Sequence, residues 1–442
     1  MEQEEHSYLP EIEEEEEEYC SELLPQHVMN IIAEENGEGG ISSIGRGGGE
    51  IPQLVSIGPN HFGNPKLSEM ETHKAKLLDV ESRRWSSGTG ASLTNALLEM
   101  EGRARKWYSH YFNHVDGDAF VKMLLTDSFF IINLFMAYDH KFYKGDGELA
   151  NNLVFTTRWM LPTICEDLLM LDNQLPFFIL AKVYVILTNN EPINCLKKLA
   201  LQFFKQVQFG KVAVTADVKS TAEKNPKHLL DLFHSSFLGM DKGDNKKSSS
   251  STSSSETKFW VQNTSTLRSK GVTFIARREA RRPLDIQFSW LGVLRIPTFC
   301  IDDTNVSVLK NLLAYEQGSR RVKPYFSSLT VFLSNIAATP GDVKFLRETG
   351  IIQHQPGNDN NVVVVLQELY KLVTYSFDDD CLIKCQVEHI NRFVTYVPGE
   401  VISYMKRMLL PNFVHLVVLV LCVALLFFVP HDTFKHFRII RT

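Results

Sequence analysis

Two long apolar stretches dominate the first half of the chain. Phe120–Tyr138 is almost continuously apolar around Thr126–Ser128, and Met160–Leu187 is apolar except around Asp172–Gln174 and Pro176. Runs of this length predict helices that are buried on nearly every side. Because charged residues or a proline interrupt both runs, we expect them in a protein core and not in a bilayer.

Shorter patterns predict further helices on both sides of a β-rich region. One helix is expected to begin at Ser68, which has the spacing of a capping box with Glu71. Three short segments predict a small antiparallel sheet, namely Val272–Arg277, Leu284–Ser289 and Val293–Ile301. Helical periodicity predicts the remaining helices at Leu196–Val207, Leu229–Leu238, Asn311–Tyr315, Tyr325–Ile336, Gly341–Thr349, Val362–Val373 and Val387–Tyr404.

The C-terminal end carries the longest run without any charged residue. Phe413–Val429 reads FVHLVVLVLCVALLFFV, and only His415 and Cys422 interrupt it. A bilayer core needs about 20 apolar residues, with a lower limit of about 17, so this run predicts a membrane-spanning helix. The alternative is a buried C-terminal helix of a soluble domain. Basic residues on both sides of the run do not fix its orientation.

The predicted fold is therefore mainly α: one large helical domain with a small antiparallel β insertion, plus one C-terminal transmembrane helix. Residues 1–50, acidic and then glycine-rich, are expected to be disordered. Residues 51–407 form the globular domain, which contains a serine-rich disordered loop at 242–258. Residues 408–430 span the membrane, and 431–442 form a short basic tail.

Charge and cysteine usage exclude several classes of function. The net charge of −6 arises from 46 basic and 52 acidic residues, and outside the acidic segment Glu11–Glu18 the chain is near neutral, so we expect no nucleic-acid partner. The seven cysteines show no disulfide framework. Cys381, Cys385 and His389 would share one helix face, but a fourth ligand is not evident. No metal or cofactor is expected.

Signature motifs of enzymes are missing from the sequence. We find no Gly-x-Gly-x-x-Gly after a strand, no phosphate-binding loop, no Gly-x-Ser-x-Gly elbow and no His-Glu-x-x-His. The ionisable residues His61, Glu71 and His73 lie near one another in sequence, where turn and surface roles compete with a metal or acid–base set. Two glycosylation sequons, at Asn263 and Asn305, are usable only if the domain lies outside the cytosol.

Polar residues inside the long apolar runs are the candidate site. A buried carboxylate is costly unless it is hydrogen-bonded, so Asp127 and the trio Asp172, Asn173 and Gln174 are expected to find partners in each other or in Arg105. A structural polar network, a ligand pocket and a catalytic site are the three interpretations of this cluster. No catalytic residue is assigned.

An ordered series of motifs resembles one plant family, known as "domain of unknown function 247". The resemblance rests on an opening signature (Ser56, Gly58, Pro59, His61, Glu71 and Lys74), on Arg105 with Tyr108, on Met123–Phe130, on Asp167–Leu180, on Leu267–Phe274, on Ile296 with Pro297, and on Asn311–Gln317, which includes Asn311, Glu316 and Gln317. Together these motifs extend over about Ile51–Val429. The chain departs from the family pattern at three places, namely Asn60–Phe62, Asp172 and Ser128.

The resemblance implies a plant protein that ends in one membrane span and has no assigned activity. Some members, at grass self-incompatibility loci, are implicated as pollen determinants. We therefore expect a single-pass membrane protein, at the plasma membrane or alternatively an internal one, that contacts lipid through residues 413–429 and recognises an unknown protein or peptide partner. Two other functions remain: an enzyme of unrecognised type using Asp127, Asp172 and His61, or a tail-anchored intracellular scaffold.

Overall fold

The computed structural model describes residues 51–108, 115–139, 154, 157–207, 209, 226–238, 260–280, 282–355, 358–374 and 381–396. The expectations for the acidic N-terminal region, the serine-rich loop, the C-terminal span and the basic tail concern residues outside these ranges. Within them the chain is mainly helical, as predicted, with small sheets. The thirteen α-helices are α1 (Ser68–Ser82), α2 (Thr89–Trp107), α3 (Gly117–Asp139), α4 (Met160–Leu168), α5 (Phe177–Leu187), α6 (Ile193–Phe203), α7 (Leu229–Leu238), α8 (Thr264–Ser269), α9 (Asp303–Gly318), α10 (Tyr325–Ile336), α11 (Pro340–Glu348), α12 (Asp359–Lys371) and α13 (Lys384–Tyr396).

Helix α3 is the centre of the first half. It packs against α1, α2, α5 and α6, and most of its side chains are buried. By length and composition it is the one helix of the described residues that is able to cross a membrane, but 72% of its most apolar window is buried inside the protein. Because each large apolar side chain gains about 1.5–3 kcal/mol on burial, its run of Phe, Ile and Leu explains why four helices gather around it.

The second apolar run forms two helices and not one. Helix α4 ends at Leu168, and α5 begins at Phe177 after an irregular connection. Pro176 precedes the first turn of α5, where its missing N–H costs nothing because that turn has no intrahelical acceptor. The polar trio Asp172–Gln174 lies in this connection, which places its side chains next to the start of the domain.

The prediction of a small antiparallel sheet is wrong for one of its two strand pairs. Strands β1 (Thr273–Arg277), β2 (Gln287–Ser289) and β3 (Val293–Pro297) form a mixed sheet in the order β1–β3–β2. The β2–β3 pair is antiparallel, whereas β1 runs parallel to β3 with Thr273 opposite Val293. Because β2 reverses the chain between them, β1 and β3 point the same way.

A further pair of strands was not predicted. Strands β4 (Phe299–Cys300) and β5 (Ile352–Gln353) pair in parallel. Their hydrogen bonds fix the end of α11 next to the start of α9. At two residues each, they are too short to show an alternating pattern in the sequence.

The second half is built around α10, in which almost every residue is buried. Helices α9 and α12 pack against it. The two halves share one hydrophobic core, whose junction is rich in aromatic side chains. These include Phe203, Phe204, Phe209, Phe233, Phe237 and Phe326.

Candidate functional site

The opening segment, residues 53–59, lies against the domain without forming a helix or strand. Pro52 and Pro59 bracket it, and Gly58 has φ +72°. Backbone groups in such a segment have no neighbours in a regular ladder, so side chains must satisfy them when they are buried. Residues 55–59 are buried, and the polar residues of the family signature supply those partners.

Asp167, at the end of α4, binds the first half of the opening segment. Its carboxylate accepts hydrogen bonds from the backbone N–H of Gln53, Leu54 and Val55, each at 2.8 Å. Burial raises the pKa of Asp167 to about 6, and the three N–H donors oppose that shift. Sequence reasoning placed this residue in a family motif but did not assign it a role.

Asn173 continues this pairing along the same segment. Its side-chain oxygen accepts from the N–H of Ile57 at 2.7 Å, and its amide nitrogen donates to the carbonyl of Val55 at 3.0 Å. The side chain thus imitates a neighbouring strand. Its neighbour Gln174 donates to the carbonyls of Leu168 and Met170 at 2.8 and 2.7 Å and accepts from the N–H of Leu230 at 3.2 Å.

Lys74 and Asp127 hold the end of the opening segment. The Lys74 Nζ donates to Asp127 Oδ1 at 2.5 Å and to the carbonyl of Ser56 at 2.6 Å. Asp127 Oδ2 accepts from the N–H of Gly58 at 2.8 Å. The second carboxylate, Glu71, lies 2.6 Å from the same Nζ and is 24% exposed.

The electrostatics of this group follow from burial and opposite charge. Burial alone would lower the pKa of Lys74, but the charges of Asp127 and Glu71 outweigh it and the pKa is raised. Burial raises the pKa of Asp127, against the opposing effect of Lys74 and the Gly58 N–H. Burial also raises the pKa of Glu71. The charged pair is stable here because its remaining bonding capacity is used by backbone groups.

Gly58 fits where no other residue would. Its positive φ disfavours a side chain. A Cβ would also lie 2.8 Å from the carbonyl oxygen of Gln174 and 3.1 Å from the Tyr108 hydroxyl. That hydroxyl donates to the same carbonyl at 2.9 Å, so the signature glycine permits close contact between the opening segment and the connection before α5.

Arg105 and Asp172 have other contacts. Arg105 contacts Glu101 at 2.8 Å, the carbonyl of Val115 at 2.7 Å, and the ring of Phe120. Burial raises the pKa of Asp172 to about 6, and its backbone carbonyl accepts from the Asn60 side chain at 2.8 Å. The bonds of Asp127 go to Lys74 and Gly58 instead of to the trio.

His61 and Ser56 each bury a polar atom for which the described residues offer no hydrogen-bond partner, namely the Nε2 of His61 and the Oγ of Ser56. Burial lowers the pKa of His61.

The expected capping box is absent, because Ser68 donates to the carbonyl of Pro65 at 2.8 Å and Glu71 faces Lys74. Buried Pro59 completes the opening signature, and its carbonyl accepts from Phe62.

The second part of the signature stabilises α10 in a similar way. Glu316 accepts from the N–H groups of Phe326 and Ser327, both at 2.7 Å, and from the Ser327 hydroxyl at 2.7 Å. It also lies 2.8 Å from the Nε2 of buried His234. Because α10 lacks a side-chain N-cap of its own, this carboxylate satisfies its free N–H groups from another helix.

Two other signature amides connect separate elements. Asn311 accepts from the N–H of Leu171 at 2.9 Å, which joins α9 to the connection before α5. Gln317 donates to the Ser327 hydroxyl at 3.1 Å and accepts from the N–H of Thr374 at 2.9 Å. The Asn311 contact joins the two halves of the domain, and the Gln317 contacts join α9 to α10 and to the segment after α12 within the second half.

The other sequence candidates have ordinary surroundings. Asn263 caps α8 and donates to Asp342 at 3.1 Å, and Asn305 is buried and donates to Asp302 at 2.7 Å, so both sequon amides are engaged in the fold. Cys385 lies 3.9 Å from His389. Within the described ranges, no three His, Cys, Asp or Glu side chains are grouped as metal ligands.

One family profile extends over all the motifs described so far. The profile of a family described as "plant protein of unknown function", DUF247, matches residues 51–428. The chain belongs to this family. It is 28% identical over 348 residues to the UPF0481 protein At3g47200 of Arabidopsis thaliana. The aligned residues make up 75% of this chain and 71% of that protein.

A second relative matches a smaller part. The putative UPF0481 protein At3g02645 of Arabidopsis thaliana is 29% identical over 131 residues, or 30% of this chain and 23% of that protein. No solved structure matches the chain. The family resemblance inferred from the opening signature and from Asn311–Gln317 is therefore confirmed.

Proposed function

We propose that this protein is a single-pass membrane protein that acts by binding a protein or peptide partner. One observation carries the binding role: the signature side chains Asp127, Lys74, Asn173 and Glu316 bond to buried backbone groups of the fold. Groups used in this way serve as structural supports, so the function is left to the outer surface of the domain.

The membrane anchor is supported by the sequence of the C-terminal run. Phe413–Val429 contains no Asp, Glu, Lys or Arg, whereas α3, the apolar helix of comparable length among the described residues, is mostly buried. The C-terminal run is thus the better candidate for contact with lipid. We place the protein at the plasma membrane, with an internal membrane as the alternative.

A topology experiment tests the anchor. The full chain is expressed in plant cells, membranes are washed at alkaline pH, and sealed vesicles are treated with a membrane-impermeant maleimide before and after detergent. Cys385 is exposed on α13, and a Cys385→Ser variant identifies its adduct. Retention after the wash supports the anchor, and complete release overturns it. Labelling before detergent in right-side-out vesicles places the domain outside the cell; labelling only after detergent indicates the tail-anchored scaffold.

Site-specific photocrosslinking tests partner binding. A photoreactive residue is placed at exposed Val80, Leu98 or Val364, which lie on α1, α2 and α12. We expect a discrete adduct from at least one helix, and we expect excess untagged chain to compete it away. If no position on the described surface gives a competed adduct in the native membrane, the binding role is wrong.

Catalysis is the second candidate, and a specific observation favours it. His61, Glu71 and Asp172 all have pKa values shifted by burial near the opening segment, and shifted values are common in active sites. Complementation of a loss-of-function plant line distinguishes the two. Variants His61→Gln and Asp172→Asn that accumulate normally and fail to complement would favour a chemical role, whereas full complementation would exclude it.

A narrower form of the proposal, a pollen self-incompatibility determinant in a grass, is supported by the family resemblance alone. It requires expression in pollen. It also requires that exchanging the chain between plants of different self-incompatibility type changes which pollen is rejected. Unchanged rejection would remove this narrower role and leave the binding proposal intact.

A further inference from the structure

The turn between β2 and β3 exposes two large apolar side chains. Trp290 is 84% exposed and Leu291 is 53% exposed. The turn is closed by the N–H of Gly292 donating to the carbonyl of Ser289 at 2.9 Å, and Gly292 has φ +74°. We refer to residues 290 and 291 as the hairpin tip.

Local structure does not account for these residue types. A three-residue hairpin loop requires a residue with positive φ at its last position, and Gly292 meets that need. The two preceding positions commonly take Asp, Asn, Ser or Pro, whose side chains suit water. Tryptophan and leucine side chains at those positions stay in water, and they gain the favourable free energy of burial only if another apolar surface covers them.

The tip lies next to the end of the helix that leads towards the apolar C-terminal run. Phe393, in the last turn of α13, packs on Phe288 with ring centroids 5.4 Å apart. The contact with Gly292 is so close that a Cβ there would lie 2.3 Å from the Phe393 ring. Helix α13 ends at Tyr396, and residues 397–412 join it to Phe413.

The length of this connection allows the tip to reach a bilayer that holds the run. Sixteen residues extend over at most roughly 60 Å, and the tip lies at the end of α13 from which the connection departs. The proposed anchor would thus tether the domain to the lipid surface through the element on which the hairpin is packed.

The charges around the tip complement a membrane surface. The turn before β1 adjoins the tip, because the N–H of Thr273 donates to the carbonyl of Gly292 at 2.8 Å. Residues 268–273 and 289–293 contain Arg268, which stacks on Phe345, and Lys270 but no acidic residue. Helix α13 adds the exposed Arg392 and the half-buried Glu388, so basic residues remain in excess. Basic side chains favour the anionic surface of a membrane, and tryptophan favours the boundary between headgroups and acyl chains.

We propose that the hairpin tip inserts into the headgroup region of the bilayer in which Phe413–Val429 is anchored. This inference rests on the anchor in the proposed function. The tip fixes the orientation of the domain against the membrane, because two separated contacts restrict rotation more than one tether does. A protein partner covering the tip is the competing occupant, and it is an outcome of the test.

Tryptophan fluorescence of the full chain in liposomes tests the proposal. The spectrum of Trp290 is obtained as wild type minus Trp290→Phe, and its quenching by phosphatidylcholine brominated near the headgroup end of the acyl chain is measured. We expect emission at short wavelength and at least a twofold loss of the Trp290 signal. Trp159, 59% exposed at the start of α4, is the matched control; its signal, obtained with Trp159→Phe, is expected to keep its intensity.

Two results would overturn the proposal in distinguishable ways. Release of the chain from the liposomes by alkaline wash removes the anchor and the membrane contact together. Retention of the chain with Trp290 emitting at long wavelength and unquenched removes only the membrane contact, and it is the result expected if the tip binds a protein. A double variant Trp290→Ser with Leu291→Ser, which keeps Gly292, should stay anchored but lose the protection of the hairpin from added protease in liposomes.

Discussion

The ammonium of Lys74 lies 2.5 Å from the carboxylate of Asp127, and both side chains are almost completely buried, at 1% and 2% exposure. The two residues are 53 positions apart. Through Ser56 and Gly58 they also bind the backbone of the opening segment. A buried pair of this kind contributes little net stability compared with apolar side chains, but removing one partner leaves an uncompensated charge.

Replacing Lys74 alone should therefore be severe. We expect Lys74→Met to lower the free energy of unfolding by about 3–5 kcal/mol, because Asp127 then remains buried without its counter-charge. The double variant Lys74→Met with Asp127→Asn should recover part of the loss, since asparagine still accepts from the Gly58 N–H. Thermal unfolding of the full chain in detergent measures the difference. Equal loss in the single and double variants would show that the pair is not coupled.

Gly58 and Gly63 provide a matched pair for separating strain from steric clash. Both have positive φ, +72° and +78°, but a Cβ at Gly58 meets the Gln174 carbonyl at 2.8 Å, whereas nothing lies within 4 Å at Gly63. Gly63→Ala should cost about 1 kcal/mol from backbone strain. Gly58→Ala should cost at least about 2 kcal/mol more, a size typical of overpacking. Equal losses in the same unfolding assay would contradict the close contact.

Features that depend on residues close together in the sequence were predictable, whereas features that depend on distant residues were not. Helix α3 was predictable because its buried residues are consecutive. The partner of Lys74 was not predictable from the spacing. Lys74 follows Met70 by four residues on the inner face of α1, which signals a buried charge, but nothing local indicates that Asp127 neutralises it. The role of Asp167 was not predictable, because its carboxylate binds three N–H groups in a segment with no periodicity.

The sheet shows the same limit. The positions of β1 and β3 followed from their β-rich composition, but a strand of five residues carries the same pattern in either direction. The order β1–β3–β2 depends on contacts across the sheet, and these are fixed by packing on α13 and α11. The break between α4 and α5 was indicated by Pro176, whereas its true start after Leu168 depends on bonds made by Asn173 and Gln174.

Glu316 should be more important for stability than an exposed glutamate. It accepts two N–H groups at the start of α10, together with one hydroxyl, so Glu316→Ala leaves buried donors without partners. We expect a loss of about 2–4 kcal/mol, because each unsatisfied buried group costs about 1–3 kcal/mol. Glu99→Ala, on the exposed face of α2, is the control and should change stability by less than about 0.5 kcal/mol. Comparable losses at the two sites would refute the capping role.

The raised pKa of Asp172 predicts a dependence of stability on pH. Its value is about 6 in the folded chain, compared with an ordinary 3.8, so the folded state binds this proton more tightly than the unfolded state. The favourable contribution is complete below about pH 4 and is lost as the pH rises through 6. After allowance for partial exposure of the side chain, the cost at pH 8 is roughly 1–3 kcal/mol.

Asp172→Asn removes this cost and should therefore stabilise the protein more at pH 8 than at pH 4.5. The measurement is the difference in thermal midpoint between the variant and wild type at the two pH values, for the full chain in one detergent. Asp167 also has a pKa of about 6, but it is present in both proteins and cancels in the difference. Asp118→Asn, exposed at the start of α3, controls for the loss of one negative charge. A difference that is the same at both pH values would mean that the Asp172 carboxyl does not titrate in this window, and its burial would then need another compensating partner.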